Sequence, residues 1–471
     1  LASAHYAFDN DELAANLRIY GSNILHGMTN YHLRQAPMAK GMYRQNIAEG
    51  NNRGFKFDIA TGNWKIGIDG HLETHDSNID NINNPNFFVV NFNDAEREIF
   101  GAFVEHRYEF SNGLETELGL RANRVAMNAG EVDGTPAQMM MPMPSMNSGM
   151  NSGMGMGMGM GMGMSMMTTM MPAPGMRLRD AFNSADRSQQ DNNIDWVAKA
   201  YMPISDDTTL YAGLARKSRS ASYQERYLWL PLQATGGLAD GRTYTGNLEL
   251  NPEVAHELEL GFDFDAQGLT LSPRVFYREV TDYIQGTTTS DSNASAFVAM
   301  MNTMNGTSNA APLQFNNVDA ELYGFDMDWR YRLDNHWSLS GLVNYVRGKR
   351  ADKGADDNLY RIAPLNGSLA LNYTANQWGI SVEGVAYDSQ DNVSNYNNEQ
   401  TSSGYGLLNL RGQWQLNSST RLGFGVDNAL DRDYSEHLAG TNRVSGNADI
   451  AKGEHLPGYG RNAYARIDFE F

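Results

Sequence analysis

The sequence predicts an all-β fold, a transmembrane antiparallel β-barrel. Three observations predict it. Hydrophobicity alternates with a period of two along many segments, the connections between these segments are alternately short and long, and the 471 residues include no long apolar helix.

Composition excludes several other classes of protein. A chain of 471 residues is long for one compact soluble core, unless it forms one large closed sheet. No segment reaches the roughly 18 consecutive apolar residues of a membrane-spanning helix. The chain contains 0 Cys, which excludes disulfides and thiolate metal sites within it. A net charge of -19 argues against nucleic acid as a partner, because such proteins need a basic face.

The alternating segments read as strands whose two faces meet different solvents. Between residues 257 and 264 one face carries only apolar side chains, namely Leu258, Leu260, Phe262 and Phe264. The final segment alternates in the same way and ends on Phe471. Counting such segments gives about 16 strands from near Glu12 to Phe471, and residues 1–7 read as the end of an earlier strand.

The connections fall into two classes that alternate along the chain. Short turns are predicted at 61–63, 111–113, 203–207, 265–268, 333–336, 375–377 and 416–418. Long polar loops are predicted at 33–52, 77–96, 127–190, 220–251, 285–317, 350–361, 389–402 and 429–460. Short turns on one rim and long loops on the other are typical of barrels in the bacterial outer membrane, with the loops extracellular. An ordinary soluble β-protein is the alternative.

Four segments of the second half carry recognisable motifs: the NPE and ELELG letters within 251–261, the VFYR and DYI letters within 275–284, the strand at 317–326, and the ending GVDNALDRDY with PGYGR within 425–461. Together these segments resemble TonB-dependent outer-membrane receptors. They occur in the family's order, at one hairpin spacing each. The resemblance covers residues 250–471.

This resemblance implies a barrel of 22 strands that is closed inside by an N-terminal plug domain carrying a TonB box. Neither plug nor TonB box is recognisable in this sequence. We therefore expect residues 1–471 to be a receptor barrel domain that is incomplete at its N-terminus, with about 16 of a probable 22 strands and the plug domain absent. TonB would be reached through the missing plug, and outer-membrane lipid and lipopolysaccharide would surround the barrel. A genuine 16-stranded porin is the competing interpretation.

The loop at 127–190 is rich in methionine. Seventeen of the 26 Met residues lie between Met139 and Met176, many of them alternating with Gly. Thioether sulfur is soft and uncharged, so it selects Cu(I) over hard cations, whereas alternating Gly is expected to deny the loop a packed structure. The candidate copper ligands are Met139, Met140, Met141, Met143, Met146, Met150 and Met154. A repeat without any ligand is the alternative.

A second candidate site lies near the outer end of the first complete strand. His26 and Met28 are two residues apart and share a strand face. The copper-receptor branch of the family uses such a His-x-Met pair from the barrel together with a Cys and a Met from the plug, and the resemblance implies the same role here. Four other histidines are interpreted as solvated side chains in turns or loops: His256, His336, His437 and His455.

These observations predict TonB-dependent transport of copper ions, Cu(I) or Cu(II), into the periplasm. Copper is the transported ligand, and no catalytic cofactor is expected. No nucleophile elbow, His-Glu-x-x-His motif or phosphate-binding Gly loop occurs, so we expect no enzyme. One alternative is a receptor for siderophores or other metal chelates, with binding groups in a long loop: Arg219, Tyr223, Arg226, Tyr227 and Trp229. The other alternative is a passive porin.

Overall fold

A computed structural model of the chain describes residues 1–10, 12–32, 36–142, 170–236, 240–351, 357–443 and 449–470. In this part of the chain, one sheet contains 18 strands, and each long strand pairs in antiparallel fashion with its neighbours along the sequence. The long strands are β1 (Ala2–Asp9), β2 (Ala14–Thr29), β3 (Gln45–Thr61), β4 (Trp64–Asp80), β5 (Phe88–Glu109), β6 (Glu115–Asn128), β9 (Gln189–Ser205), β10 (Thr208–Arg219), β12 (Glu253–Ala266), β13 (Leu269–Thr288), β14 (Leu313–Arg332), β15 (Trp337–Arg350), β16 (Asn366–Thr374), β17 (Trp378–Tyr387), β18 (Tyr405–Asn417), β19 (Thr420–Asp427) and β20 (Asn462–Phe469).

Three short strands lie outside this series. β7 (Met140–Pro142) and β8 (Met170–Pro172) form a separate two-stranded ribbon, and β11 (Tyr244–Thr245) pairs in parallel with the outer end of β14. The strand predicted to precede residue 12 is β1. Among the described residues β1 pairs only with β2, and β20 only with β19, so these two strands form the edges of the sheet.

The predicted short turns lie between the expected strands. In the turn between β12 and β13, Gln267 and Gly268 have φ of 53° and 80°. Positive φ at both central residues gives a two-residue turn the twist that adjacent antiparallel strands require. The prediction of turn positions is therefore confirmed at this rim.

The long loops lie at the opposite rim, and several are shorter than predicted. They occupy 30–44, 81–87, 129–188, 220–252, 289–312, 351–365, 388–404 and 428–461. The segments 45–52, 77–80 and 88–96 were predicted as loop but belong to strands β3, β4 and β5. Period-two hydrophobicity ends where the faces of a strand meet water or packed loops in place of lipid, as at the buried residues Ile79 and Val89, although the backbone hydrogen bonds continue.

The loops also contain the helices, which are α1 (Pro174–Ser184), α2 (Tyr223–Tyr227), α3 (Gln233–Gly236) and α4 (Ser292–Asn305). No helix among the described residues has the length and apolar character that crossing a membrane would need. Most large buried apolar side chains lie in two clusters formed by these loops and the outer strand ends. We call this packed assembly the loop layer.

The alternation of faces is observed along the whole wall. On β12 the side chains of Leu258, Leu260 and Phe262 point outward, each more than a third exposed. On the inner face Glu257 pairs with Arg278 of β13, and Arg274 of β13 pairs with Asp263. The outer face is thus apolar and the inner face charged, as a barrel in lipid requires.

This orientation predicts where a protease can cut. A protease added to intact cells should cleave within 129–188 and spare the turns at 267–268 and 375–377, because the loops face the medium and the turns the periplasm. Fragment masses from intact and from permeabilised cells provide the measurement, and permeabilised cells control for turns that resist cleavage intrinsically. Cleavage at 267–268 in intact cells would reverse the orientation.

Candidate metal centre

His26 and Met28 lie at the outer end of β2, on the inner face of the sheet. Tyr20 and Asn16 share this face of β2 with His26 and Met28, because residues an even number of positions apart lie on the same face of a strand. The Tyr20 hydroxyl lies 3.0 Å from His71 Nδ1, and Asn16 donates to Asp58 at 3.3 Å. The prediction that the His and Met share a face is therefore confirmed.

Both side chains of the pair are open to the lumen. Met28 is 46% exposed, and His26 is also exposed. Their partners across β3 are Ala48 and Asn46. Among the described residues, no group of three or more His, Cys, Asp or Glu is placed to hold a metal ion. The pair therefore supplies two potential soft-metal ligands on an open wall, and their role in metal binding stays a prediction.

The described part of the methionine-rich loop begins and ends in the β7–β8 ribbon. Met141 lies directly opposite Met171, and Pro142 opposite Met170. Directly opposite residues have Cβ atoms about 5 Å apart, within reach of two thioethers that bind one ion. Met140 and Met170 are nearly half exposed. Of the predicted ligands, Met139 to Met141 are at this ribbon, and the others lie outside the described residues: Met143, Met146, Met150 and Met154.

The flanks of this loop are packed, contrary to the expectation that the loop lacks a packed structure. Ala137 and Ala173, on the two sides of the ribbon, are fully buried, and Leu178 of α1 is nearly so. Ala137 and Leu178 belong to one buried cluster with Phe297 of α4. A Cβ at Gly175 would lie 2.6 Å from the Pro136 carbonyl oxygen, so glycine permits this close approach of α1. The residues on both sides of the β7–β8 ribbon are therefore packed.

Polar contacts also fix the base of the ribbon. The side chain of Asn183 in α1 accepts from the Val132 amide and donates to the Val132 carbonyl, both at 2.9 Å. Burial opposes ionisation of Asp133, but hydrogen bonds from Gln138, the Gly134 amide and Arg179 outweigh it and lower the pKa of that carboxyl group. These contacts connect the two flanks of the loop.

The loop at 220–252 extends over the mouth of the barrel. On one side, the Trp229 indole donates to the Val90 carbonyl of β5 at 3.0 Å. On the other side, Arg242 donates to the Tyr396 carbonyl at 2.7 Å, in the loop between β17 and β18. The loop begins at β10 and ends at the neighbouring strand β12. Its side chains nevertheless reach β5 on one side and the loop between β17 and β18 on the other. It narrows the route from the medium to the lumen.

Four of the five residues named for a chelate-binding site serve this loop structurally. Arg226 and Asp191 form a buried ion pair with side chains 1% and 10% exposed, and Arg226 also donates to the Leu248 carbonyl. Tyr227 and Trp229 are buried, and burial raises the pKa of Tyr227. Arg219 forms ion pairs with the carboxylates of Glu225 and Glu253.

The fifth residue, Tyr223, stacks on His75 with ring centroids 4.4 Å apart. Burial raises the pKa of its hydroxyl, so the phenol stays neutral. Together these contacts leave the Arg and aromatic side chains of this loop poorly available to a bulky chelate.

His437 is buried, although the sequence suggested a solvated side chain. Its Nδ1 lies 3.0 Å from the Ser402 hydroxyl, and its Nε2 lies 3.1 Å from the Glu399 carboxylate. Glu399 also accepts from the backbone amides of Arg361 and Ser394. These contacts join three loops. The burial of His437 could not be predicted from local sequence, because its partners are distant in the chain.

Taken together, the alternating wall, the two rims and the charged lumen define a β-barrel of the bacterial outer membrane. Residues 2–429 match the family model described as TonB dependent receptor-like, beta-barrel. The chain belongs to this family, whose members are transporters and not enzymes, so the expectation of no enzymatic activity is confirmed. None of the curated proteins matches the sequence.

Solved structures of the same fold include receptors for different cargoes. The structure of copper transporter OprC aligns over 100% of this chain and 65% of its own, with 20% identity and a TM-score of 0.72. The ferric yersiniabactin uptake receptor FyuA from Yersinia pestis aligns with 14% identity and a TM-score of 0.63, over 100% and 60% of the two chains. The ferric citrate transporter FecA aligns with 15% identity and 0.59, over 100% and 61%. This chain therefore spans less than two thirds of the length of these structures, and the likeness shows the fold.

Proposed function

We propose that this chain forms the barrel of a receptor that imports copper across the outer membrane, with TonB as its energy-coupling partner. The observation that carries the proposal is the placement of soft ligands at two levels. Methionines of the β7–β8 ribbon lie in a long extracellular loop, and His26 and Met28 lie on the inner face of the wall at the outer end of β2. Thioether and imidazole groups suit copper ions better than they suit hard cations.

The two levels suggest a capture step and a binding step. The ribbon and the loop it carries collect copper from the medium, since many methionines close together allow two sulfurs to hold one ion. The His-x-Met pair holds the ion more firmly when further ligands meet it from inside the lumen. In the family, those ligands would come from a plug whose rearrangement TonB drives.

The loop layer favours a small cargo. The loop layer packs around Arg226, Tyr227 and Trp229. This packing counts against the alternative of a siderophore receptor. The loop at 220–252 extends over the mouth, which counts against a passive porin with an open lumen. A metal ion needs a smaller opening than an iron chelate, so the narrowed mouth supports copper transport.

Replacing Met140, Met141, Met170 and Met171 together by Leu should slow copper uptake when copper is scarce and change it little when copper is abundant. Leucine keeps the apolar volume but removes the thioether. Uptake of labelled copper over a concentration series provides the measurement, with Met202→Leu on the outward face of β9 as the matched control. Equal uptake rates for the ribbon variant and the control at every copper concentration would show that the ribbon takes no part in copper capture.

A further inference from the structure

Strand β4 carries two histidines and a glutamate at successive positions of its inner face. These residues are His71, Glu73 and His75, and residues two apart on a strand share a face. The face is identified by His71, because its Nδ1 lies 3.0 Å from the hydroxyl of Tyr20 on the inner face of β2. We call the three side chains the β4 ladder.

The ladder begins close to the His26 and Met28 pair. Across β3, His26 lies opposite Ala48. His75 lies opposite Gly50, which is one same-face position further from the rim. The Cα atoms of the two histidines are therefore about 12 Å apart, from two strand spacings and one two-residue step. A Cβ at Gly50 would meet no atom within 4 Å beyond its chain neighbours, so no side chain fills the space beside this residue.

The lower half of the ladder is arranged for metal binding. When the Tyr20 hydroxyl accepts the hydrogen of His71 Nδ1, the unprotonated nitrogen of the imidazole is Nε2. This Nε2 lies 3.9 Å from the carboxylate of Glu73. A hydrogen bond at the other ring nitrogen is the usual means of orienting a metal-binding histidine. Tyr20 reaches His71 across Gly54, where a Cβ would lie 2.5 Å from the hydroxyl oxygen.

The carboxylate of Glu73 is available as a ligand. Its side chain is 36% exposed, and within the described part of the chain its only ion pair is the one with His71. Arg97 of β5 lies directly opposite Glu73, yet no salt bridge joins these two residues, both of which the structure describes. The carboxylate therefore presents a negative charge to the lumen, where it attracts a metal cation.

The spacing of the ladder allows two of its members to bind one ion, but not all three. Adjacent same-face positions of a strand are about 7 Å apart, so Glu73 can share an ion with either histidine. His71 and His75 are about 13 Å apart, which is too far for both to join it. Accordingly, the described residues include no group of three or more such ligands placed to hold one ion. Paired weak sites suit transport, because an ion must bind well enough to enter and weakly enough to leave.

We propose that the β4 ladder is a second copper-binding region, which passes the ion along the inner wall toward the periplasm. Copper leaves His26 and Met28, binds between His75 and Glu73, and then binds between Glu73 and His71. The ladder contains no sulfur, and its nitrogen and oxygen ligands hold Cu(II) more tightly than the other divalent first-row metal ions. This inference rests on the proposed import of copper, but copper binding to the ladder can be measured independently of transport.

Electron paramagnetic resonance of Cu(II) tests binding in a purified receptor that carries this barrel together with the family's plug. The His26→Ala, Met28→Ala variant removes the soft pair and serves as the background. In this background Cu(II) should show hyperfine coupling to imidazole nitrogen, and adding His71→Gln with Glu73→Gln should abolish the coupling. Tyr20→Phe should weaken Cu(II) binding by about tenfold, because it removes an orienting group and no ligand.

The matched control is His5→Gln with Glu105→Gln. It removes one imidazole and one carboxylate from the inner face of β1 and β5, in the half of the wall nearer the short turns. This control should retain both Cu(II) binding and copper uptake. Heat-modifiable gel mobility confirms that each variant is folded.

Uptake by cells places the ladder after the soft pair. With His26 and Met28 intact, His71→Gln with Glu73→Gln should leave the Cu(I) affinity of the pair unchanged and lower the maximal rate of copper uptake by about tenfold. Cu(II) coupling that survives these two substitutions would overturn the proposal, and so would an uptake rate equal to that of the wild type. Failure of the proposed function would give a different result, copper uptake at background already in the wild type.

Discussion

Replacing His26 and Met28 together by Ala should weaken Cu(I) binding by more than about 100-fold in a receptor that carries the family's plug. Even the loss of residues that only orient metal ligands commonly costs 10–100-fold in affinity, and here two ligands themselves are removed. In the chain as given, Cu(I) binding at the pair should be weak, because two ligands on one strand form only part of a site. Adding the plug should raise the affinity steeply, and the double variant should abolish that gain.

Equilibrium competition with a Cu(I) indicator provides the measurement for both forms of the protein. The matched control is Ser22→Ala with Ile24→Ala, at the two preceding inner-face positions of β2. This control should retain the affinity gain. Both variants should stay folded by heat-modifiable mobility, because the exchanged side chains lie outside the lipid-facing band. An unchanged affinity in the His26, Met28 variant would show that copper binds elsewhere.

The second large effect concerns the buried ion pair of the loop layer. Arg226→Ala leaves the Asp191 carboxylate buried without its partner, which typically costs about 3–5 kcal/mol. The Leu248 carbonyl also loses its donor. The barrel wall does not depend on this contact, so we expect the loop at 220–252 to open locally while the strands stay paired.

Hydrogen exchange measured by mass spectrometry separates the two regions. Amides of 220–252 should exchange faster in Arg226→Ala, and amides of β12 and β13 should not change. Arg226→Lys keeps the charge but loses the bidentate contact, so it should give an intermediate rate. If Arg226 instead binds a chelate, Arg226→Ala should abolish chelate binding and leave exchange unchanged, which would restore the siderophore receptor as the better interpretation.

The barrel could be predicted from sequence wherever the two faces of a strand meet different solvents. Leu258, Leu260 and Phe262 face lipid while the residues between them face the lumen. Apolar and polar residues therefore alternate along the sequence of this strand. The same contrast placed His26 and Met28 on one face. Short turns were also predictable, since Gln267-Gly268 can adopt the positive φ values that a two-residue turn needs.

The other structural features had no signal in the local sequence pattern. Strands β4 and β5 extend into segments where both faces meet water or other loops, so the alternation stops before the hydrogen bonds do. The buried contact of Arg226 with Asp191 joins helix α2 of one loop to the outer end of β9. A charged residue in a polar loop ordinarily predicts a solvated side chain.

Copper uptake by cells whose sole copper receptor carries this barrel together with the family's plug tests the central claim most directly. Labelled copper and a labelled ferric chelate are supplied in parallel, with and without TonB, to cells carrying the wild type or the His26→Ala, Met28→Ala variant. We expect copper to accumulate only when TonB is present, to fall to background in the variant, and the ferric chelate to stay at background throughout. Accumulation of the ferric chelate without copper, or copper accumulation that does not depend on TonB, would contradict this account.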